Sequence, residues 1–199
     1  MTDVLWDRID ARCSRWDVLR HPFYVRWSEG TLTREELARY AGQYRHAVEA
    51  LAAATASAAG ELPELGPHAV EEAEHVGLWD GFARELGAGQ DAANEQTAAC
   101  VEAWTAADGL LPTLARVYAI ERAQPEVARV KREGLVGLYG VEDGPATDYF
   151  RVHETLDREH SAEVRALIDE LRAEADDDAL VDAAESAVRA NWLLLDGVD

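Results

Sequence analysis

The chain has 199 residues, 48% of them hydrophobic, which suits one globular domain with a sizeable core. Its formal net charge of -20, from 39 acidic and 19 basic side chains, argues against nucleic acid or an anionic membrane as partner, because both call for clustered Lys and Arg. No apolar run is long enough to span a membrane, and the acidic start Met1–Asp7 lacks the basic region and apolar stretch of a secretory signal, so a cytoplasmic location is expected.

Helical periodicity runs from about residue 3 to 19 through Val4, Leu5, Ile9, Val18 and Leu19, and His21-Pro22 breaks it. Thr33-Arg34-Glu35-Glu36 reads as a capping box, and the helix it opens passes Leu37, Tyr40, Tyr44, Val48 and Leu51 to end near Gly60. After a loop holding Pro63, Gly66 and Pro67, helices are expected over about 69–86 and 91–107, stopped by Gly87 and Gly109. A long helix over about 111–139 contains Pro125, which removes an amide donor and should kink it. Gly140–Pro145 is a turn, and Thr147 or Asp148 caps a helix to about residue 173. Asp176-Asp177-Asp178 opens the last helix, where acidic residues favour the positive end of the dipole. The order predicts about seven or eight helices and no strand, repeat or linker, hence one all-α bundle over residues 1–199.

Histidines and carboxylates carry the chemistry. Glu72 and His75 stand at i, i+3, and Glu71 and His75 at i, i+4, so either pair shares a helix face. His153, Asp157 and His160, at i, i+4 and i+7, form a stripe flanked by Val152, Leu156, Val164, Leu167 and Ile168. Neutral imidazole with carboxylate suits Fe(II), Mn(II) or Zn(II). Glu121 lies in a mainly apolar helix just before Pro125 and needs a partner, either a metal or an arginine. Cys13 and Cys100 lack CxxC spacing and read as buried thiols in a reducing compartment, and Lys131 is the only lysine.

His21-Pro22-Phe23-Tyr24-Val25-Arg26-Trp27, Gly30-Thr31-Leu32-Thr33 and Tyr40-Ala41-Gly42-Gln43-Tyr44 resemble the N-terminal signature of the TenA/PqqC/CADD-like group. The resemblance continues through His75–Phe82, Glu121–Leu135 and Tyr149–His160 and covers nearly the whole chain. It implies the seven-helix heme-oxygenase-like bundle and a homodimer. The dimetal oxidases of that group imply a metal set of Glu72, His75, Glu121, His153, Asp157 and His160. The cofactors implied are two divalent ions, iron or iron with manganese, and O2. Relatives place a Glu seven residues before the first His, where this chain has His68; a subset uses Glu-x-x-His, which Glu72 satisfies.

The implied function is an O2-activating oxidase or oxygenase acting on a small organic substrate, with Tyr24, Tyr44 and Trp27 lining the cavity or donating an electron. An alternative implied by CADD-like members is self-sacrificing synthesis of para-aminobenzoate, with Tyr24 as the ring and Lys131 as the nitrogen source. A second tyrosine of those proteins, beside the bridging Glu, is Ile120 here. A thiaminase II-like hydrolase would need an Asp where Gln43 stands and a nucleophile that neither Cys13 nor Cys100 matches. A metal-free binding or regulatory protein of the same fold is the remaining class.

Overall fold

The computed structural model describes residues 4–199, apart from the side chain of Glu174. The expected first helix therefore starts, at residue 3, outside the described residues. Among the described residues there are nine α-helices and no strand, so the all-α expectation holds and the count of seven does not.

The extra helices arise at the two ends. Helix α1 (Val4–Cys13) stops short of residue 19, and the chain continues as single 3-10 turns at Ser14–Trp16 and Val18–Arg20. His21-Pro22 starts a helix rather than merely breaking one. Pro22 occupies the first turn of α2 (Pro22–Glu29), where its missing amide costs nothing, and His21 Nδ1 accepts from the Phe23 amide at 3.1 Å. Gly30 closes α2 with a left-handed φ of 68°.

The capping box at the head of α3 (Arg34–Glu61) is present in full. Thr33 Oγ1 accepts from the Glu36 amide, and Glu36 Oε2 accepts from the Thr33 amide at 2.7 Å. Helices α4 (Gly66–Leu86) and α5 (Glu95–Trp104) follow, α5 capped by the Asn94 side chain. Helix α6 (Leu110–Gly137) runs on through Pro125 without interruption. The carbonyl one turn back, which an amide at 125 would have bonded, belongs to Glu121.

The helix expected to run unbroken to residue 173 is divided. Helix α7 (Asp148–His153) ends at a turn over Glu154 and Thr155, and α8 (Leu156–Leu171) begins beyond it. The Thr155 amide bonds Val152 and the Arg158 amide bonds Thr155, so the chain tightens to three-residue spacing there. Helix α9 (Asp177–Asp196) closes the chain, with Asp176 as its cap.

Helix α3 packs along α4, α6 packs against both α8 and α9, and α5 against α9. Fully buried rings of Phe23, Tyr24, Trp27, Tyr40, Tyr44, Trp79 and Phe82 fill the space between α2, α3, α4 and α6. One glycine sets the docking of α2. A methyl group at Gly134 would lie 2.6 Å from Trp27 Nε1, and its absence lets that indole settle on α6 and donate to the Lys131 carbonyl at 3.2 Å. Tyr24, one turn before Trp27, is thereby brought alongside Lys131.

Candidate metal centre

Helix α4 presents His68, Glu72 and His75 on one face at i, i+4 and i+7. Glu121 projects from α6, His153 ends α7, and Asp157 and His160 come from α8. None of the seven is more than 5% exposed.

They fall into two groups that share Glu72. Donor atoms of His68, Glu72, Glu121 and His160 lie within 4.8 Å of one another, as do those of Glu72, His75 and His153. The turn at Glu154–Thr155 explains the division: His153 falls in with His75, while His160, beyond the turn, falls in with His68. The expected stripe is therefore split between two helices but converges on one centre. Asp157 stands between its two histidines in sequence, and neither of its carboxylate oxygens has a hydrogen-bond partner.

Two of the imidazoles are oriented by identifiable groups. His153 Nδ1 donates to the Tyr149 carbonyl at 2.6 Å, which leaves Nε2 as the lone-pair nitrogen. His160 Nε2 bonds Glu71 Oε2 at 2.8 Å, which turns Nδ1 inward. Glu71 thus lies behind His160, and Glu72 is the inward carboxylate. Tyr149 also stacks its ring on His153 at 4.0 Å.

Electrostatics and polar bookkeeping both point to cations. Burial, then the charge of Glu72, pushes the Glu121 carboxyl well above the usual range. Burial, then the charges of Glu121 and Glu72, does the same to Asp157. Burial pushes the His153 imidazole down to about 4 and lowers His68 and His160 as well, keeping their lone pairs free at neutral pH. His68 Nδ1, Glu121 Oε2, His153 Nε2, both Asp157 oxygens and His160 Nδ1 are buried without hydrogen-bond partners. An unpaired buried polar atom costs about 1–3 kcal/mol. Divalent metal ions, which suit mixed imidazole and carboxylate donors, would satisfy all of them together. Glu121, which could have paired with an arginine, instead faces His68 Nε2 at 2.7 Å.

A cluster of aromatic rings around Lys131 adjoins these donors. Lys131 Nζ lies over the rings of Tyr44, Tyr24, Tyr40, Phe150 and Trp79, at 4.7, 5.2, 5.4, 5.7 and 5.9 Å from their centroids. Lys131 is 1% exposed, and among the described residues it has no ion pair. Burial pulls its ammonium down to about 7. The Tyr24 hydroxyl is hydrogen-bonded to that of Tyr40 at 2.8 Å, and burial raises both phenols well above their ordinary range. Trp27 packs its ring against those of Tyr24 and Tyr40, with centroids 6.0 and 5.6 Å away.

Other residues take structural places. Gln43 braces the loop before α5, donating to the Ala92 carbonyl and accepting from the Asn94 amide. Cys13 and Cys100 are free and buried, and burial raises the Cys13 thiol to about 12 and Cys100 higher still, which suits neither to be a thiolate nucleophile. Sequence reasoning did not identify Glu71 and Tyr149 as orienting groups, and it left His68 open. The matching i, i+4, i+7 spacing of His68, Glu72 and His75 was the available signal.

Residues 52–192 match the pattern of a family described as iron-containing redox enzyme. The 4-aminobenzoate synthase of Nitrosomonas europaea is 32% identical to this chain, over 99% of it and 92% of that protein. Among solved structures, a TenA homologue from Pseudomonas syringae superposes with a TM-score of 0.85 at 16% identity, over 98% of this chain and 92% of the other. A domain with a heme oxygenase-like fold from Shewanella denitrificans superposes with a TM-score of 0.79 at 18% identity, over 100% of this chain and 93% of the other. The structural likenesses speak for the fold alone.

Proposed function

Because this chain belongs to the iron-containing redox enzyme family, we propose that it is an oxygen-dependent 4-aminobenzoate synthase that spends Tyr24 as the ring and Lys131 as the nitrogen source. The observation that carries this reading is the ring of aromatic side chains around Lys131. The chain's only lysine is buried without an acidic partner among the described residues, its amine lies 5.2 Å from the centre of the Tyr24 ring, and it adjoins a His/carboxylate cluster. A merely structural lysine at such a position is costly, since burial disfavours its charge and nothing offsets it.

Glu72, His75, Glu121, His153, Asp157 and His160 would hold two metal ions, iron at least. When bound, they supply the reduction of O2 and the oxidising power the reaction needs. The chain's own residues supply the rest. Burial keeps part of the Lys131 population neutral at pH 7, with a lone pair to share. The Tyr24–Tyr40 hydrogen bond links the two hydroxyls, either of which can donate, and Trp79 and Phe150 help to exclude water. A homodimer, as in the fold group, is part of the proposal and is read by light scattering.

Protein labelled with ring-13C tyrosine and ε-15N lysine tests the reading, after anaerobic loading with Fe(II) and exposure to O2 and reductant. The expected result is 4-aminobenzoate carrying both labels, at no more than one per chain, and none from Tyr24→Phe or Lys131→Arg. Doubly unlabelled product, or none from a metal-loaded chain, overturns it.

A second reading, oxidation of an external small organic substrate, draws on a different observation. A cavity of about 350 Å3 lies between Cys13, Trp16, Val18, Val127 and Asn191, and its wall includes Ile120, the residue before Glu121. Turnover of an added substrate by chains of unchanged mass would favour it. A metal-free binding protein would leave the orphaned donor atoms unsatisfied.

A further inference from the structure

We infer that His68 is itself a metal ligand, and that the second imidazole it brings makes the ion held with Glu121 and His160 selective for iron over manganese. The inference rests on reading the cluster as a dimetal centre and deepens it.

His68 is buried at 2% exposure and touches two members of the cluster. Its Nε2 lies 2.7 Å from Glu121 Oε1, its ring stacks on His160 with centroids 3.7 Å apart and planes at 26°, and its Nδ1 has no hydrogen-bond partner. Its position one turn before Glu72 aims it at the same space as Glu72 and His75. A histidine retained only for packing would not leave a buried nitrogen unpaired beside a carboxylate that is itself unpaired at Oε2.

The donor count follows. One ion would take nitrogen from His68 and His160 and oxygen from Glu121, with Glu72 shared. The other would take nitrogen from His75 and His153 and oxygen from Glu72, with Asp157 a further carboxylate of the cluster. Neither ion has a purely carboxylate-rich position. Mn(II) gains least from nitrogen donors among the first-row divalent ions and is best served by carboxylate oxygen, whereas imidazole suits iron. Replacing His68 by a carboxylate would create the oxygen-rich position that the natural chain lacks.

The test uses the full chain stripped of metal, equilibrated anaerobically with equal excess Fe(II) and Mn(II), desalted, and analysed for metal content by mass spectrometry. The natural chain is expected to hold near two ions, with iron in excess of manganese. His68→Glu should keep both ions and raise the manganese share several-fold. His68→Ala should lose one ion or bind it about ten- to a hundredfold more weakly. Co(II) loading gives a second readout, since loss of a nitrogen donor shifts the visible absorption bands. Circular dichroism checks that each variant folds, and His68→Gln stands in if the alanine variant does not. Two ions with unchanged preference and unchanged Co(II) bands in the His68 variants would overturn the role of His68 and leave the dimetal centre standing. No metal in the natural chain would overturn the centre, and the role of His68 with it.

Discussion

Lys131 weighs on the fold in a way that depends on pH. Its amine titrates near 10.5 when exposed and at about 7 in the folded chain. Between those values the unfolded chain binds a proton that the folded chain does not, so stability rises with pH across that window. Below about pH 7 the folded chain must bury a charged ammonium and the penalty is full. Lys131→Met should therefore raise the melting temperature of the metal-free protein at pH 6, by an amount worth several kcal/mol at most, and the gain should fade toward pH 10. Equal gains at both pH values would mean the amine is not desolvated. The same titration makes product yield in a single turnover rise as pH passes through about 7. Glu71 offers a second test at this scale. Because it only turns His160 inward, Glu71→Ala should weaken metal binding about ten- to a hundredfold without unfolding the chain, as competition with a chelator would show. Neither orienting contact was legible beforehand. Glu71 was visible only as one of two neighbouring glutamates, and the Tyr149 carbonyl that fixes His153 belongs to the backbone, which no side-chain pattern announces.

The helices were legible where their punctuation was chemical, as in the Thr33–Glu36 box and the glycine stop at Gly87. They were illegible where the signal was ambiguous. Pro22 can end a helix or begin one, and the decision came from His21 capping the Phe23 amide. Glu154 and Thr155 are not strong breakers, so the turn separating α7 from α8 had no local warning. Its effect is large, since it allots His153 and His160 to different groups of donors. The contact between α2 and α6 supplies the test at this scale. Gly134→Ala places a methyl group against Trp27, which must shift, and Tyr24 moves with it. The variant is expected to lose about 1–3 kcal/mol of stability and most of its product, while keeping its metal content, because no proposed ligand lies on α2. Parallel loss of metal would show that the aromatic cluster and the metal centre are not independent.

For the molecule as a whole, the all-helical class followed from periodicity and the absence of any strand pattern, and the heme-oxygenase-like fold followed from the resemblance. No helix among the described residues is long and apolar enough to cross a membrane. The centre draws on α4, α6, α7 and α8, so ions bound there tie together distant parts of the chain. Anaerobic Fe(II) at a hundredfold excess over its dissociation constant should add about 2.7 kcal/mol per site to stability, visible as a higher melting temperature that a chelator reverses. An unchanged melt would speak against the centre. The packing of Tyr24 carries the last consequence. Its ring is 1% exposed and wedged among Phe23, Trp27 and Tyr40. Removing a buried aromatic ring leaves a void worth about 3–5 kcal/mol, against a total of about 5–15 for an ordinary domain. A chain that has given up that ring would be left short-lived, open to proteases in a way the intact chain is not. The supply of product would then follow the rate at which ribosomes make new chains, and the spent ones would mark themselves for clearance.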